Sequence, residues 1–228
     1  QPRAAGSAKF TTFVENNEYI MCNKFDRAKH VFYSEAFSEV IKDTIRFLNG
    51  TPVQPLPPSE SFIGAGVYAL YYIGTCPYYE VLYKHNRINF AEPIYVGKAV
   101  PRGWRQARAQ DAKNELYERL RDHFRSISST NNLTPSDFRC RFMILENTAT
   151  DMIGTVEAAL IRCYKPIWNT AIDGFGNHTP GEGRFQQAKS DWDVLHPGRS
   201  WAEKCTGISS SIHDIEQKVK DYFHNAEK

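Results

Sequence analysis

Two hydrophobic rhythms alternate along the chain. Over YSEAFSEVIKDTIRFLNG (33–50) apolar residues recur at helical spacing and stop at a glycine, which predicts an amphipathic helix. TPVQPLPPSES follows as a proline-rich connector. AGVYALYYIG is β-branched and aromatic and predicts a strand, and PIYVGKA (93–99) predicts a second that glycine ends. NELYERLRDHFRSI returns to helical spacing, with Leu116, Leu120, Phe124 and Ile127 as its apolar stripe. FRCRFMILE (138–146) alternates and predicts a third strand; DMIGTVEAALIRCY (151–164) predicts a helix that the proline of KPIWN ends. The order β-β-α-β-α implies a small sheet covered by helices. Residues 170–206, rich in Gly, His, Asn and Arg, read as a long functional loop region, and SSSIHDIEQKVKDYFHN as a polar closing helix with a serine cap. Three segments follow: an N-terminal arm and helix (1–60), a core (61–170), and C-terminal loops with a helix (171–228).

Composition narrows the class. A chain of 228 residues with 41% hydrophobic and 24% charged residues can bury one substantial core. No apolar run approaches the roughly 18 residues of a membrane span, and no secretion signal is present. The opening QPRAAGSAKF is small and polar and reads as a mobile arm or an expression remnant. Five cysteines, an odd number without a C-x-x-C pair, argue against a zinc site and a disulfide framework and for a reducing cytoplasm. The net charge of +2 is uninformative, but its distribution is not. Between residues 98 and 125, Lys98, Arg102, Arg105, Arg108, Lys113, Arg119, Arg121 and Arg125 face only Asp111, Glu115, Glu118 and Asp122. This is the local concentration a DNA-binding surface uses; a solvated helix face of alternating charge is the other reading.

Polar residues inside apolar stripes carry more information. Glu157 falls on the Ile153, Val156, Leu160, Ile161, Tyr164 face of its helix. A carboxylate there costs several kcal/mol unless a cation or hydrogen bonds satisfy it. His123 projects between Leu120, Phe124 and Ile127, and Arg119 lies one turn earlier at the stripe's margin, so the two can face one point. Tyr68 and Tyr72 share a strand face but stand roughly 13 Å apart. They cannot both touch one phosphate and its attacking water. A tyrosine on the neighbouring strand can, and Tyr95 is the candidate. The literal Tyr-Ile-Gly at 72–74 is then a strand end that spells a motif by accident.

Gly66-Val67-Tyr68, Tyr95-Val96-Gly97-Lys98-Ala99, LYERLRDHF, Glu157 and, twelve residues later, Asn169 together resemble the GIY-YIG nuclease superfamily in order. YVGKA and the Glu-to-Asn spacing are similar to the catalytic domain of the bacterial excision-repair nuclease that makes the 3′ incision. The chain departs from that pattern. Here 26 residues separate Tyr68 from Tyr95, through the insertion TCPYYEVLYKHNRINFAE. A second insertion, VPRGWRQARAQDAKN, precedes the catalytic helix, and His123 stands where the repair enzymes carry tyrosine. With DGFGNHTPGEGR and SDWDVLHPGRSW, these features resemble the type II restriction endonuclease branch that cuts 5′-CCGCGG-3′.

The resemblance implies an α+β fold built on a three-stranded antiparallel sheet, in a bacterial cytoplasmic enzyme that acts on double-stranded DNA as a homodimer. It implies one Mg²⁺, for which Mn²⁺ can substitute, held by Glu157 with water completing most of its shell. Arg119 would donate to the non-bridging phosphate oxygens; Lys98 and Asn169 would hold the phosphate and local geometry. Tyr68 and Tyr95 would position water, one as general base with a phenol pKa lowered by nearby cations; Tyr68 as base and His123 as proton relay stay as alternatives. Arg102, Arg105, Arg108, Arg184, Lys189 and Arg199 are the candidates to contact DNA. A structure-specific repair or homing-type nuclease, and a catalytically silent DNA-binding domain, are the competing readings. The sequence carries no helix-hairpin-helix or zinc module, no Glu-x-Lys after Asp137, and no HNH spacing around His178.

Overall fold

A computed structural model describes residues 25–104, 112–179, 181 and 183–226. Two compact units divide at Glu35/Ala36. In the first, Arg27–His30 forms a short 3-10 turn whose N-cap, Asp26, accepts from the Ala28 amide. The second holds a four-stranded antiparallel sheet with helices on both faces.

Its elements are α1 (Glu35–Gly50, beginning at the unit boundary), β1 (Gln54–Pro55), β2 (Gly66–Tyr72), α2 (Glu80–Asn89), β3 (Tyr95–Ala99), α3 (Glu115–Ser128), β4 (Phe138–Ile144), α4 (Ile153–Tyr164), α5 (Ile167–Thr170), α6 (Asp191–Leu195) and α7 (Ile212–Ala226). The strand order is β1-β4-β2-β3, with neighbours antiparallel. The sheet therefore has one strand more than the sequence predicts. The extra strand comes from the proline-rich connector, where Gln54 and Pro55 pair with Cys140 and Arg139 at the sheet edge, the position in which proline is tolerated.

β2 is central, and every residue of it is buried. Tyr68, Leu70 and Tyr72 enter one core with α3, α5, α6 and α7, while Val67, Ala69 and Tyr71 enter a second with Leu48 of α1 and Ile153, Val156 and Leu160 of α4. Burial on both faces explains why GVYALYY reads as an unbroken apolar run.

The first insertion is itself folded. Cys76–Asn89 supplies a 3-10 turn and α2, and Asn86, buried, bonds the Tyr72 and Glu92 carbonyls and the Glu92 amide. The region expected to be one long loop is also folded. Phe175, Trp192 and Leu195 from it are buried, with Trp192 stacked edge-on against Trp168 at 5.7 Å. Its glycines and histidines masked an aromatic cluster. The closing helix has the predicted serine cap, Ser211 accepting from the Asp214 amide, but it buries Ile215 and Val219 rather than standing free. No helix among the described residues is long and apolar enough to cross a membrane.

Candidate active site

The site forms where β3, the edge strand, meets α3 and α4. The predicted stripe of α3 holds for Leu116, Leu120 and Ile127, which are fully buried. Its fourth apolar member differs: Phe124 is 37% exposed, and His123 takes the inward position at 2%. Tyr68 lies opposite Gly97 in the β2–β3 register, and Tyr95 lies opposite Leu70, one diagonal step away on the same face. Gly97 is required by close approach: a Cβ there would stand 2.3 Å from the Tyr68 hydroxyl and 2.9 Å from the Tyr95 ring. The two phenols consequently share one space, with ring centroids 6.2 Å apart.

Tyr68 Oη lies 2.5 Å from Nε2 of His123. Burial first, then the charges of Arg119, His178 and Arg199, holds His123 well below the ordinary imidazole pKa, so the ring is neutral. A neutral ring with its proton on Nδ1 accepts the Tyr68 hydroxyl proton at Nε2. The expected lowering of a phenol pKa is not found. Burial pushes Tyr68 well above its ordinary value and raises Tyr95 too; the Arg119 charge opposes this and loses. Glu157 is close enough to both phenols to add to the rise.

Arg119 anchors the C-terminal segment to this group. Its Nη2 donates to the Gly176 carbonyl at 2.9 Å, and Nη1 meets the His178 ring. On the adjoining edge, Lys98 of β3 and Glu157 of α4 form a partly exposed ion pair. This pair is the cation that Glu157 needed on its helix face. Asn169 plays a backbone role: Oδ1 accepts from the Val96 amide at 2.8 Å and Nδ2 donates to the Val96 carbonyl at 2.9 Å. It thereby satisfies the outward edge of β3, which has no neighbouring strand among the described residues.

The structure thus brings Tyr68, Tyr95, Arg119 and His123 into one cluster, sets Lys98 and Glu157 beside it, and places Asn169 behind. Tyr72 is elsewhere. Its hydroxyl accepts from the Cys76 amide at 2.7 Å, and its ring packs on Tyr79 and Phe138. Among the expected DNA contacts, Arg102 and Arg184 are exposed, Lys189 pairs with Glu203 at 2.6 Å, and Arg105 and Arg108 lie outside the described residues. Arg199 is not at the surface. It is 4% exposed, paired with Asp193 at 2.6 Å, and packed between the Trp192 and Trp201 rings. Sequence reasoning also missed Phe175, whose ring stacks on His123 at 4.5 Å; its only signal is an aromatic between two glycines.

Among the described residues no group of three or more His, Cys, Asp or Glu could cage a metal ion. A single partly exposed carboxylate nevertheless suits a hard divalent ion that keeps most of its own waters, and Glu157 supplies that donor.

A glycine-floored tyrosine pair on an antiparallel edge, with an arginine and a carboxylate from flanking helices, is the grouping that the GIY-YIG resemblance implies for this chain. Residues 60–223 match the Eco29kI GIY-YIG domain, and the chain belongs to that restriction endonuclease family. No curated protein matches the chain.

Proposed function

We propose that the protein is a type II restriction endonuclease that hydrolyses both strands of duplex DNA at a short palindromic GC-rich site, CCGCGG, as a homodimer with one divalent ion per active site. The observation that carries this reading is the convergence of Tyr68, Tyr95, Arg119 and His123 over Gly97, with the Lys98–Glu157 pair alongside. Residues 61–170 would supply the chemistry, 171–228 the contacts that choose the site, and 1–60 an accessory arm and helix. A restriction system would place the enzyme in the bacterial cytoplasm.

Glu157 would hold the ion, Mg²⁺ or in its place Mn²⁺, which when bound stabilises charge on the scissile phosphate and leaving oxygen. Arg119, fixed on the Gly176 carbonyl, keeps donor capacity for the non-bridging oxygens as charge builds there. Tyr95 orients the attacking water. Tyr68 takes that water's proton while handing its own to Nε2 of His123, so no free tyrosinate forms. This route fits phenols that burial holds protonated beside a ring that burial holds neutral. Lys98 leaves Glu157 for the phosphate, and Asn169 keeps β3 in register.

A palindrome is most simply read by two copies related by a two-fold axis. Guanine is read through O6 and N7 by Arg or Lys, and Arg102, Arg105, Arg108, Arg184 and Lys189 are the proposed sources. Incubating a plasmid of known sequence with Mg²⁺ and sequencing the ends tests the whole. Discrete cuts at CCGCGG are expected. Structure-dependent products would turn the reading to a repair or homing-type nuclease, and binding without cleavage in Mg²⁺ or Mn²⁺ to a silent DNA-binding domain.

A further inference from the structure

The C-terminal segment does more in this structure than offer a surface. We propose that Phe175, held by the buried Arg199–Asp193 pair, is a positioning residue for the hydrolysis: it fixes the His123 ring against Tyr68, while the adjoining Gly176 carbonyl fixes Arg119. The inference rests on the nuclease reading for its chemistry and on geometry for its substance.

Phe175 is 1% exposed and lies face to face with His123, at 4.5 Å and 18° between ring planes. It also meets Tyr95 edge-on at 4.9 Å, and it is backed by Trp168 at 4.5 Å and Trp192 at 5.1 Å. Its ring closes one face of His123, whose Nε2 meets the Tyr68 hydroxyl. The next residue has to be glycine, because a Cβ on Gly176 would stand 2.5 Å from the Tyr95 hydroxyl. That approach lets its carbonyl reach Arg119.

Arg199 holds this segment from behind. Its Nε donates to Asp193, Nη1 donates to the Phe175 and Asn177 carbonyls at 3.2 and 3.3 Å, and Nη2 donates to the Gly174 carbonyl at 2.9 Å. One guanidinium fork thus grips three backbone carbonyls within residues 174–177, which a lysine ammonium cannot do in the same plane. The groups facing His123 are Tyr68 from β2, Tyr95 from β3, Arg119 from its own helix, and His178 and Arg199 from the C-terminal segment. Removing the Phe175 ring readmits water to this enclosure. His123 then moves up toward its ordinary pKa and starts to protonate near neutral pH, where a charged ring cannot accept from Tyr68.

The test uses full-length Phe175→Ala and Phe175→Leu, read by histidine-labelled NMR titration and by single-turnover cleavage across pH, with His123→Gln assigning the resonance. In the native protein the His123 signal should not titrate through the neutral range. In Phe175→Ala it should begin to, and cleavage should fall about a hundredfold, the scale of an ångström-level misplacement. The loss should be larger at pH 6 than at pH 8, with duplex affinity in the absence of divalent ions unchanged. Phe175→Leu should show the same signs at smaller size and carries the test if Phe175→Ala does not fold. Native rates and pH profile in Phe175→Leu, or an equal loss at every pH with the His123 signal unmoved, would overturn the proposal.

Arg199→Lys should lower the rate without altering the salt dependence of DNA binding. A shallower salt slope would return Arg199 to the DNA surface and overturn the latch. If the native protein cuts no duplex with any divalent ion, the nuclease reading fails, and the NMR titration still decides whether Phe175 positions His123.

Discussion

Two buried tyrosine–histidine pairs occupy the same core, one at each end of β2. At the candidate-site end, Tyr68 meets Nε2 of His123 at 2.5 Å; at the distal end, Tyr79 meets Nε2 of His196 at 2.6 Å, with Tyr72 edge-on to Tyr79 at 5.5 Å. Burial pushes both phenols up and both imidazoles down. The pairs differ in what surrounds them. At the distal end the network is closed: Trp168 Nε1 donates to the Tyr79 hydroxyl, and Asn132 engages Nδ1 of His196. At the candidate-site end the network continues to Tyr95 and Arg119 and lies beside the Lys98–Glu157 edge. A buried Tyr–His pair is therefore a structural part by default. An adjoining cation, a carboxylate and a way out toward solvent make one of them a candidate for chemistry.

The largest break in this comparison comes from charge. Glu157→Gln should cut single-turnover cleavage about a thousandfold or more, while gel-shift affinity for duplex without divalent ions is retained. Cleavage at the native rate by this variant would remove the one-ion assignment. Next, Tyr68→Phe and Tyr95→Phe should each slow cleavage by about 10²–10⁴-fold, the range of a lost proton-transfer or water-orienting group. Tyr72→Phe should leave the rate alone. It should instead lower stability by about 1 kcal/mol in urea unfolding, because the Cys76 amide loses its acceptor. Equal kinetic damage from Tyr72→Phe and Tyr95→Phe would erase the distinction between the two ends.

The candidate-site end is more legible in the sequence than the distal one, for physical reasons. Glu157 and His123 interrupt apolar stripes whose period a reader can count, so their environment is announced by neighbours three and four residues away. Strand rise alone separates Tyr68 from Tyr72 and points to a cross-strand partner, which the register supplies diagonally as Tyr95. The distal pair has no such local frame. His196 finds Tyr79 across 117 residues and Asn132 across 64, and Arg199 finds the Gly174 and Phe175 carbonyls 25 and 24 residues back. Polar residues whose partners are this remote look like surface loop until the chain is folded. The upward direction of the phenol shift in the free protein is not legible for a related reason: the cation is visible in the sequence, but the completeness of burial that outweighs it is not.

Acid should strain both ends alike, since folding holds both histidines neutral. His196 is lowered to about 3 from 6.5, and His123 is also held well below that value. Below pH 6.5 the unfolded chain binds protons that the folded chain refuses. Stability therefore falls as pH drops, by about 1.4 kcal/mol per pH unit for each such histidine, until the folded pKa is reached. Urea midpoints measured from pH 7 to pH 4 should show this slope. His196→Gln should flatten it while leaving cleavage at pH 8 intact, whereas His123→Gln should flatten it and abolish efficient cleavage.

The smallest effects belong to the surface, where the comparison is between Arg184 and Lys189. Both belong to the C-terminal segment, but Arg184 is exposed while Lys189 is drawn onto Glu203 at 2.6 Å. A cation already paired must give up its partner before it can neutralise a phosphate, so its net contribution to DNA binding shrinks. Arg184→Ala should weaken binding severalfold and reduce the slope of log affinity against log salt by about 1, the signature of one lost phosphate contact. If binding weakens for cognate and random duplex alike, Arg184 contacts backbone; if only the cognate duplex suffers, it reads a base. Lys189→Ala should change the slope by less, and Glu203→Gln, which frees the lysine, should steepen it. A larger loss from Lys189→Ala than from Arg184→Ala would mean that DNA pulls Lys189 away from Glu203, and that the ion pair seen in the free protein is a resting state of the DNA-binding surface.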